Sequence, residues 1–275
     1  MSHYDPKDST ARVSEHRVEV PGDPDGVWRA IATGPGIATW FVPAAVEEHE
    51  GGRIVTDHGP YGTSEGVVTA WEPPRRFAYE EPDWDPDRPD APTWATELLV
   101  EAKDGGTCIV RLVSGFFTGG DGWEDNLAGT DEGWRAALRN LRLALTHFPG
   151  LPAVMVTADG NAADRDPDAV GRELLAALDL STAAPGDQVR LGGSTPDVVG
   201  VVVDTGDRSV TVRTEQPHPG ILEFGVFAHD GATAAVRWYL YGPGGAEVAA
   251  RETPRWTQWL RQNVGGVRVL ERQAR

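Results

Sequence analysis

Gly133-Trp134-Arg135-Ala136-Ala137-Leu138-Arg139-Asn140-Leu141-Arg142-Leu143-Ala144-Leu145-Thr146-His147-Phe148 places its large apolar side chains at intervals of four, three, four and three. Trp134, Leu138, Leu141, Leu145 and Phe148 therefore form one stripe of an amphipathic helix, while Arg135, Arg139 and Arg142 fall away from it. Pro149-Gly150 ends the helix. Upstream the period changes to two. Thr96, Leu98 and Val100 alternate with Glu97, Leu99 and Glu101; after Asp104-Gly105-Gly106, Cys108, Val110 and Leu112 alternate with Ile109 and Arg111. Period two on either side of a glycine turn reads as a β-hairpin.

Further out, segments 63–71, 75–80, 93–103 and 106–114 read as strands. So do 44–49 and 53–57, joined by Glu50-Gly51-Gly52, and an edge strand over 11–20 carrying Val13, Val18 and Val20. Gly22-Asp23-Pro24-Asp25 offers a turn and a helix cap before Val27, Trp28 and Ile31, which share a helical face until Gly34-Pro35-Gly36 interrupts it. A short turn over Ile37–Phe41 ends before Pro43. The fold class is thus α+β, a curved antiparallel sheet closed over a long helix, an arrangement that commonly leaves an internal pocket.

Small, acidic and turn-forming residues over 151–166 read as a linker between a domain at 11–150 and a second α+β domain at 167–275. The second half offers a helix over 167–180 and strands at 187–192, 197–204, 207–215, 220–229 and 232–241. A helix marked by Trp256, Trp259 and Leu260 follows, and Val267–Leu270 is expected to pack back as an extended tail.

Length and composition bound the function. The 275 residues support two modest cores, and 40% hydrophobic content with ten tryptophans indicates packed globular structure. A formal charge of −17 opposes nonspecific attraction to nucleic acid or to anionic membranes. Cys108 is the single cysteine, so neither an intrachain disulfide nor a four-cysteine metal site is available. The N-terminal residues lack the basic and apolar tracts of a secretory signal, and no apolar run approaches the roughly 20 residues of a spanning helix. A cytoplasmic protein without membrane insertion is expected.

Several stretches together resemble the START-like, ligand-binding SRPBCC superfamily, in the branch related to the activator of the heat-shock protein ninety ATPase. They are Val27-Trp28, Trp40-Phe41-Val42-Pro43, Glu50-Gly51-Gly52, Gly66-Val67-Val68 with Trp71 to Phe77, Gly105-Gly106-Thr107, and Ser114-Gly115-Phe116 leading to Gly133-Trp134 and Asn140-Leu141. The resemblance covers about residues 11–148 and implies a helix-grip arrangement able to enclose an apolar cavity. Residues 187–264 look like a shortened relative of the same fold, so the second domain reads as a truncated START-like repeat. The wider family includes lipid or aromatic-ligand carriers, cyclases and co-chaperone-like domains, so fold alone does not choose function.

The expected ligand-binding residues are Trp40, Phe41, Trp71, Phe77, Tyr79, Trp94, Phe116, Phe117 and Trp123, with Arg111 and Asn126 as further polar contacts. Trp134 reads as a helix-to-sheet packing residue. Loops over 82–92 and 115–125 are expected to gate the pocket. No catalytic residue, metal ligand or cofactor site is assigned. His49 and His58 flank a hairpin without a His-Glu-x-x-His run, no Gly-x-Ser-x-Gly elbow occurs, and Cys108 alternates with buried-type residues. The acidic loop at 83–90 lacks the glycine and terminal glutamate of a standard calcium loop. The leading expectation is a noncatalytic, monomeric binding protein for a small hydrophobic ligand or lipid, held in the first domain with the second as partner or cover. The alternatives are a co-chaperone-like module that binds a protein partner and regulates an ATPase, and a cyclase, isomerase or hydrolase acting on an aromatic or polyketide-like compound. A homodimer is the alternative to the monomer.

Overall fold

The computed structural model describes residues 12–82, 84, 91–116, 124–228 and 231–270, the side chains of 124–128 and 228 excepted. The chain divides into two compact units, Met1–His58 with Gly62–Gly150, and Gly59–Tyr61 with Leu151–Arg275.

In the first unit, β1 (Arg12–Pro21) leads to α1 (Pro24–Ala32) and α2 (Gly34–Ile37). Six strands follow: β2 (Ala44–Val46), β3 (Arg53–Asp57), β4 (Thr63–Glu72), β5 (Arg76–Glu81), β6 (Trp94–Lys103) and β7 (Thr107–Phe116). The long helix α3 (Glu124–His147) closes the unit. The sheet runs in the order β1-β7-β6-β5-β4-β3-β2, so an antiparallel meander carries β2 to β7 and the N-terminal strand pairs with the last one. The β6–β7 hairpin turns through Gly105 and Gly106 at φ +88° and +76°, a left-handed pair that side chains disfavour. Asp23 caps α1 by accepting from Gly26 N at 2.7 Å, and Val27, Trp28 and Ile31 form the buried face anticipated from their spacing. Helix α3 begins at Glu124, seven residues before the expected start at Asp131. Its first turns, Glu-Asp-Asn-Leu-Ala-Gly-Thr, carry no apolar stripe from which periodicity is legible.

The second unit holds β8 (Ala153–Ala162), α4 (Pro167–Ala177), β9 (Gln188–Leu191), β10 (Val198–Gly206), β11 (Ser209–Gln216), β12 (Gly220–Ala228), β13 (Ala232–Tyr241), α5 (Gly245–Asn263) and β14 (Arg268–Val269). Its order β14-β8-β13-β12-β11-β10-β9 repeats the plan of the first sheet: a meander whose last strand takes the unit's first strand beside it, and a long helix after that last strand. One helix, α4, stands in the chain position of the pair α1 and α2. The tail packs back as expected, with Arg268 opposite Asn161 and Val269 opposite Gly160.

Residues 151–166 are not a linker. They contain β8, which pairs with β13 over its whole length, from Ala153↔Tyr241 to Ala162↔Ala232. The polar and glycine residues that mimic a turn have sheet roles. Asp159 is buried and receives Arg237 Nη2 at 2.6 Å, and a side chain on Gly160 would collide with Val267. Opposite charge and close backbone approach thus explain residues that in isolation look like loop formers.

A methyl group on Gly36 would overlap the carbonyl oxygen of Arg29 and press on Ala30, both backbone positions that cannot swing aside. Gly133 in α3 has open space around it. Gly36→Ala should therefore destabilise the protein by about 1–3 kcal/mol. Gly133→Ala should stabilise it by about 0.5–1 kcal/mol through helix propensity. Chemical denaturation of the two variants measures both, and equal signs would contradict the packing of α1 on α2.

Candidate functional site

Register in an antiparallel sheet carries side chains straight across from strand to strand on one face. On the face where α3 lies, identified by His16 Nε2 meeting the Asp131 carboxylate at 3.0 Å, one such row is Phe77–Leu98–Leu112–His16. Two residues further along each strand the row becomes Tyr79–Thr96–Ser114–Ser14, a hydroxyl on each of four neighbouring strands. Beyond it stand Glu81, Trp94, Phe116 and Arg12, with Glu81 opposite Trp94 and Arg12 opposite Phe116.

The row is hydrogen-bonded along its length. Ser114 Oγ accepts from Trp94 Nε1 at 2.9 Å and lies 2.8 Å from Thr96 Oγ1, and Thr96 in turn meets the Tyr79 hydroxyl. Ser14 reaches the Ser114 carbonyl at 3.5 Å. Thr96 and Ser114 are fully buried. Burial, and then the Glu81 carboxylate, push the Tyr79 phenol well above its ordinary range, so it keeps its proton. Burial also raises the carboxyl of Glu81.

Around the row the concave face is apolar and aromatic. Trp28, Trp71 and Phe77 pack edge to face, with Trp28 and Trp71 centroids 5.1 Å apart. Trp94 meets Phe116 at 4.9 Å, and Trp84 packs on both. From α3, Trp134 stacks on Phe41 at 4.8 Å, and Phe41 abuts His58, whose Nε2 lies 3.0 Å from Thr56 Oγ1. Among the described residues, Trp134 Nε1 and Asn140 Oδ1 are buried and meet no hydrogen-bond partner. Such an atom costs about 1–3 kcal/mol unless water or a ligand satisfies it. Trp256 and Trp259 of the second unit share this property, but they are enclosed by an apolar cluster of Leu174, Val212, Leu222, Phe224 and Trp238. Trp134 instead belongs to the helix that covers a face bearing hydroxyls.

The expected site residues divide. Phe41, Phe77, Tyr79, Trp94 and Phe116 come together on the concave face. Trp71 lies in the cluster against α1, and Trp40 is a core residue whose Nε1 donates to Ala30 O at 2.9 Å. Arg111 is misassigned as a ligand contact. It alternates with Val110 and Leu112, faces away from α3, and binds Glu15 at 2.7 Å. Phe117 and Trp123 lie outside the described residues, as do the side chain of Asn126 and most of the two expected gating loops. Sequence reasoning missed Thr96, Ser114 and Ser14. The available signal was parity, since Thr96 shares its side of β6 with Leu98 and Val100. A groove of about 500 Å³ bounded by Pro24, Pro74, Arg75 and Leu99–Ala102 is lined by none of the expected residues.

Residues 22–146 match the family model for Activator of Hsp90 ATPase homolog 1-like proteins. Among solved structures, CalU16 from Micromonospora echinospora is similar at 21% identity over 49% of this chain and 76% of its own, with a TM-score of 0.40. The Aha1 dimer from Colwellia psychrerythraea is similar at 18% identity over 51% of this chain and 100% of its own, with a TM-score of 0.42. The di-domain ARO/CYC BexL from the BE-7585A biosynthetic pathway is similar at 16% identity over 93% of this chain and 99% of its own, also at 0.42. No curated protein matches the sequence.

Ser114→Ala removes the acceptor for Trp94 and the partner of Thr96 in a dry setting, and should cost about 1–3 kcal/mol in a denaturation experiment. A loss within error would mean that the row is not held together as described. Glu15 supplies a pH signature. The hydrogen bond from Arg111, aided by Arg17, lowers its carboxyl from 4.5 to about 2, so its ionised form stabilises the fold. That contribution is complete above pH 4.5 and fades as pH falls toward 2. Glu15→Gln should lower stability at neutral pH and lose less than the parent between pH 4.5 and 2. Parallel acid-dependence curves for the two proteins would contradict the Arg111 assignment.

Proposed function

We propose that the first unit, whose residues 22–146 belong to the START-like SRPBCC superfamily in its branch of activator-of-Hsp90-ATPase homologues, binds a small, largely apolar ligand on the concave face beneath α3. The observation that carries this reading is the buried hydroxyl row set into an otherwise apolar face. A ligand site of this kind gains affinity from apolar area removed from water, roughly 25 cal/mol per Å², and orientation from a few fixed polar groups. Phe77, Leu98 and Leu112 supply the first; Tyr79, Thr96 and Ser114 supply the second.

The reading is of a noncatalytic, cytoplasmic binding protein. The hydroxyls are engaged with one another and with Trp94, and the Tyr79 phenol is held protonated, so the row is suited to holding a group rather than moving a proton. Cys108, the chain's one thiol, is buried and turned to the Gly22 carbonyl at 3.4 Å, and burial raises its pKa. The second unit acts as a partner with its own filled core: Trp238, Trp256 and Trp259 occupy the space between its sheet and helices.

Native mass spectrometry of gently purified full-length protein, with denaturing extraction of anything retained, tests the proposal. A single apolar compound per chain, or uptake of one equivalent of ethylnaphthalene read by tryptophan fluorescence, is the expected result. Ligand-free protein that also takes up no apolar probe would overturn it, and two equivalents would contradict a filled second unit.

A further inference from the structure

The groove bounded by Pro24, Pro74, Arg75 and Leu99–Ala102 contains an open strand edge. Strand β5 begins at Arg76, opposite Leu99, and one residue earlier the Arg75 carbonyl accepts from Val100 N at 2.9 Å. Strand β6 runs on to Lys103 with β7 alone paired to it. Backbone groups in an antiparallel ladder point alternately to one neighbouring strand and the other. Because Val100 N points to the β5 side, Ala102 presents its N–H and C=O to that side too, past the end of β5. The Val100 carbonyl is left open there as well, since Arg75 N donates back to Glu72 O at 2.7 Å. An exposed edge of this kind is a template for an added strand.

The groove's side chains suit one class of added strand. Toward α1 the lining is apolar, with Pro24, Val100 and Ala102. On the other face of β6, Leu99 lies opposite Arg111 and Glu101 opposite Ile109. Arg75 and Glu101 are the charged members of the lining, both are exposed, and neither makes an ion pair among the described residues. The adjacent Arg76, by contrast, is held by Glu72 and Glu97. A strand added antiparallel to β6 runs in the direction of β5, so its C-terminal end arrives where β5 begins, at Arg75. A free carboxylate there meets a guanidinium whose fork fits it. The last side chain of such a strand falls opposite Glu101, and the one before it opposite Ala102, against Pro24.

We infer that this groove docks the C-terminal end of a partner protein as a short strand on β6, with the terminal carboxylate on Arg75, a basic last side chain across from Glu101, and an apolar penultimate side chain against Pro24, Val100 and Ala102. Carboxylate and basic side chain cancel, so the formal charge of −17 does not repel such an end. Main-chain pairing supplies affinity and the flanking side chains supply specificity. The site is separate from the concave face and does not depend on a ligand there.

An acetylated peptide ending Gly-Ser-Gly-Ser-Val-Lys with a free carboxylate, titrated into the full-length protein and followed by amide NMR, tests the inference. Saturable shifts at the amides of Val100 to Lys103 are expected. The C-terminal amide of the peptide should bind at least about tenfold more weakly, the worth of one charge-assisted contact. Methylating the valine nitrogen should abolish binding, because that N–H donates to the Ala102 carbonyl. In Arg75→Gln, an exposed change that leaves the main chain intact, acid and amide should bind alike. Glu101→Lys should reverse the preference of the parent for a last lysine over a last glutamate. If either variant does not fold, the acid, amide and methylated peptides on the parent protein decide alone. No binding, equal binding of acid and amide by the parent, tolerance of the methylated valine, or an acid preference that survives Arg75→Gln would overturn the inference. None of these results bears on binding at the concave face.

Discussion

The pairing of β1 with β7 is the constraint on which the first unit depends. It joins strands a hundred residues apart, setting Ser14 against Ser114 and His16 against Leu112, and so fixes which face of the N-terminal strand meets α3. A slip of one residue would turn Ser14, His16 and Val18 outward and bring Glu15, Arg17 and Glu19 against the helix. The ion pairs on the far face resist that slip. Glu15 is held by Arg111 and Arg17, and Glu19 by Lys103, all where solvent solvates the charges. The register is thus specified twice, by burial on one face and by charge on the other. The alignment of four hydroxyls across four strands follows from it.

That alignment also marks the boundary of what the sequence makes legible. Alternation along 96–112 and the four-three spacing from Trp134 to Phe148 identify the hairpin and helix without reference to any other segment. They place Thr96 on the side of Leu98, and Arg111 on the side opposite Leu112. The outward direction of Arg111 is readable from parity alone. The lining up of Tyr79, Thr96, Ser114 and Ser14 is of another kind. It is decided by turn geometry and by the long-range closure of β1, neither of which is encoded in the period of a single strand. Strand β8 was illegible for a different reason. Asp159, Gly160 and Asn161 look like turn chemistry until Arg237 and Val267 stand beside them.

The two units pose one topology with two interiors, and the difference separates stability from binding. In the second unit the single inward hydroxyl in contact with Trp238 is Thr214, which is used up between that indole and the His218 carbonyl. An apolar cluster runs from Val156 to Val264, and each side chain removed from water adds to folding at roughly 25 cal/mol per Å². The first unit forgoes part of that gain. A buried hydroxyl pair nets only about 1 kcal/mol, and loses more than that if one partner is removed. A core selected for stability alone would place valine and alanine at positions 96 and 114. Retaining hydroxyls at both positions gives up part of that apolar burial for a fixed polar row on the face beneath α3.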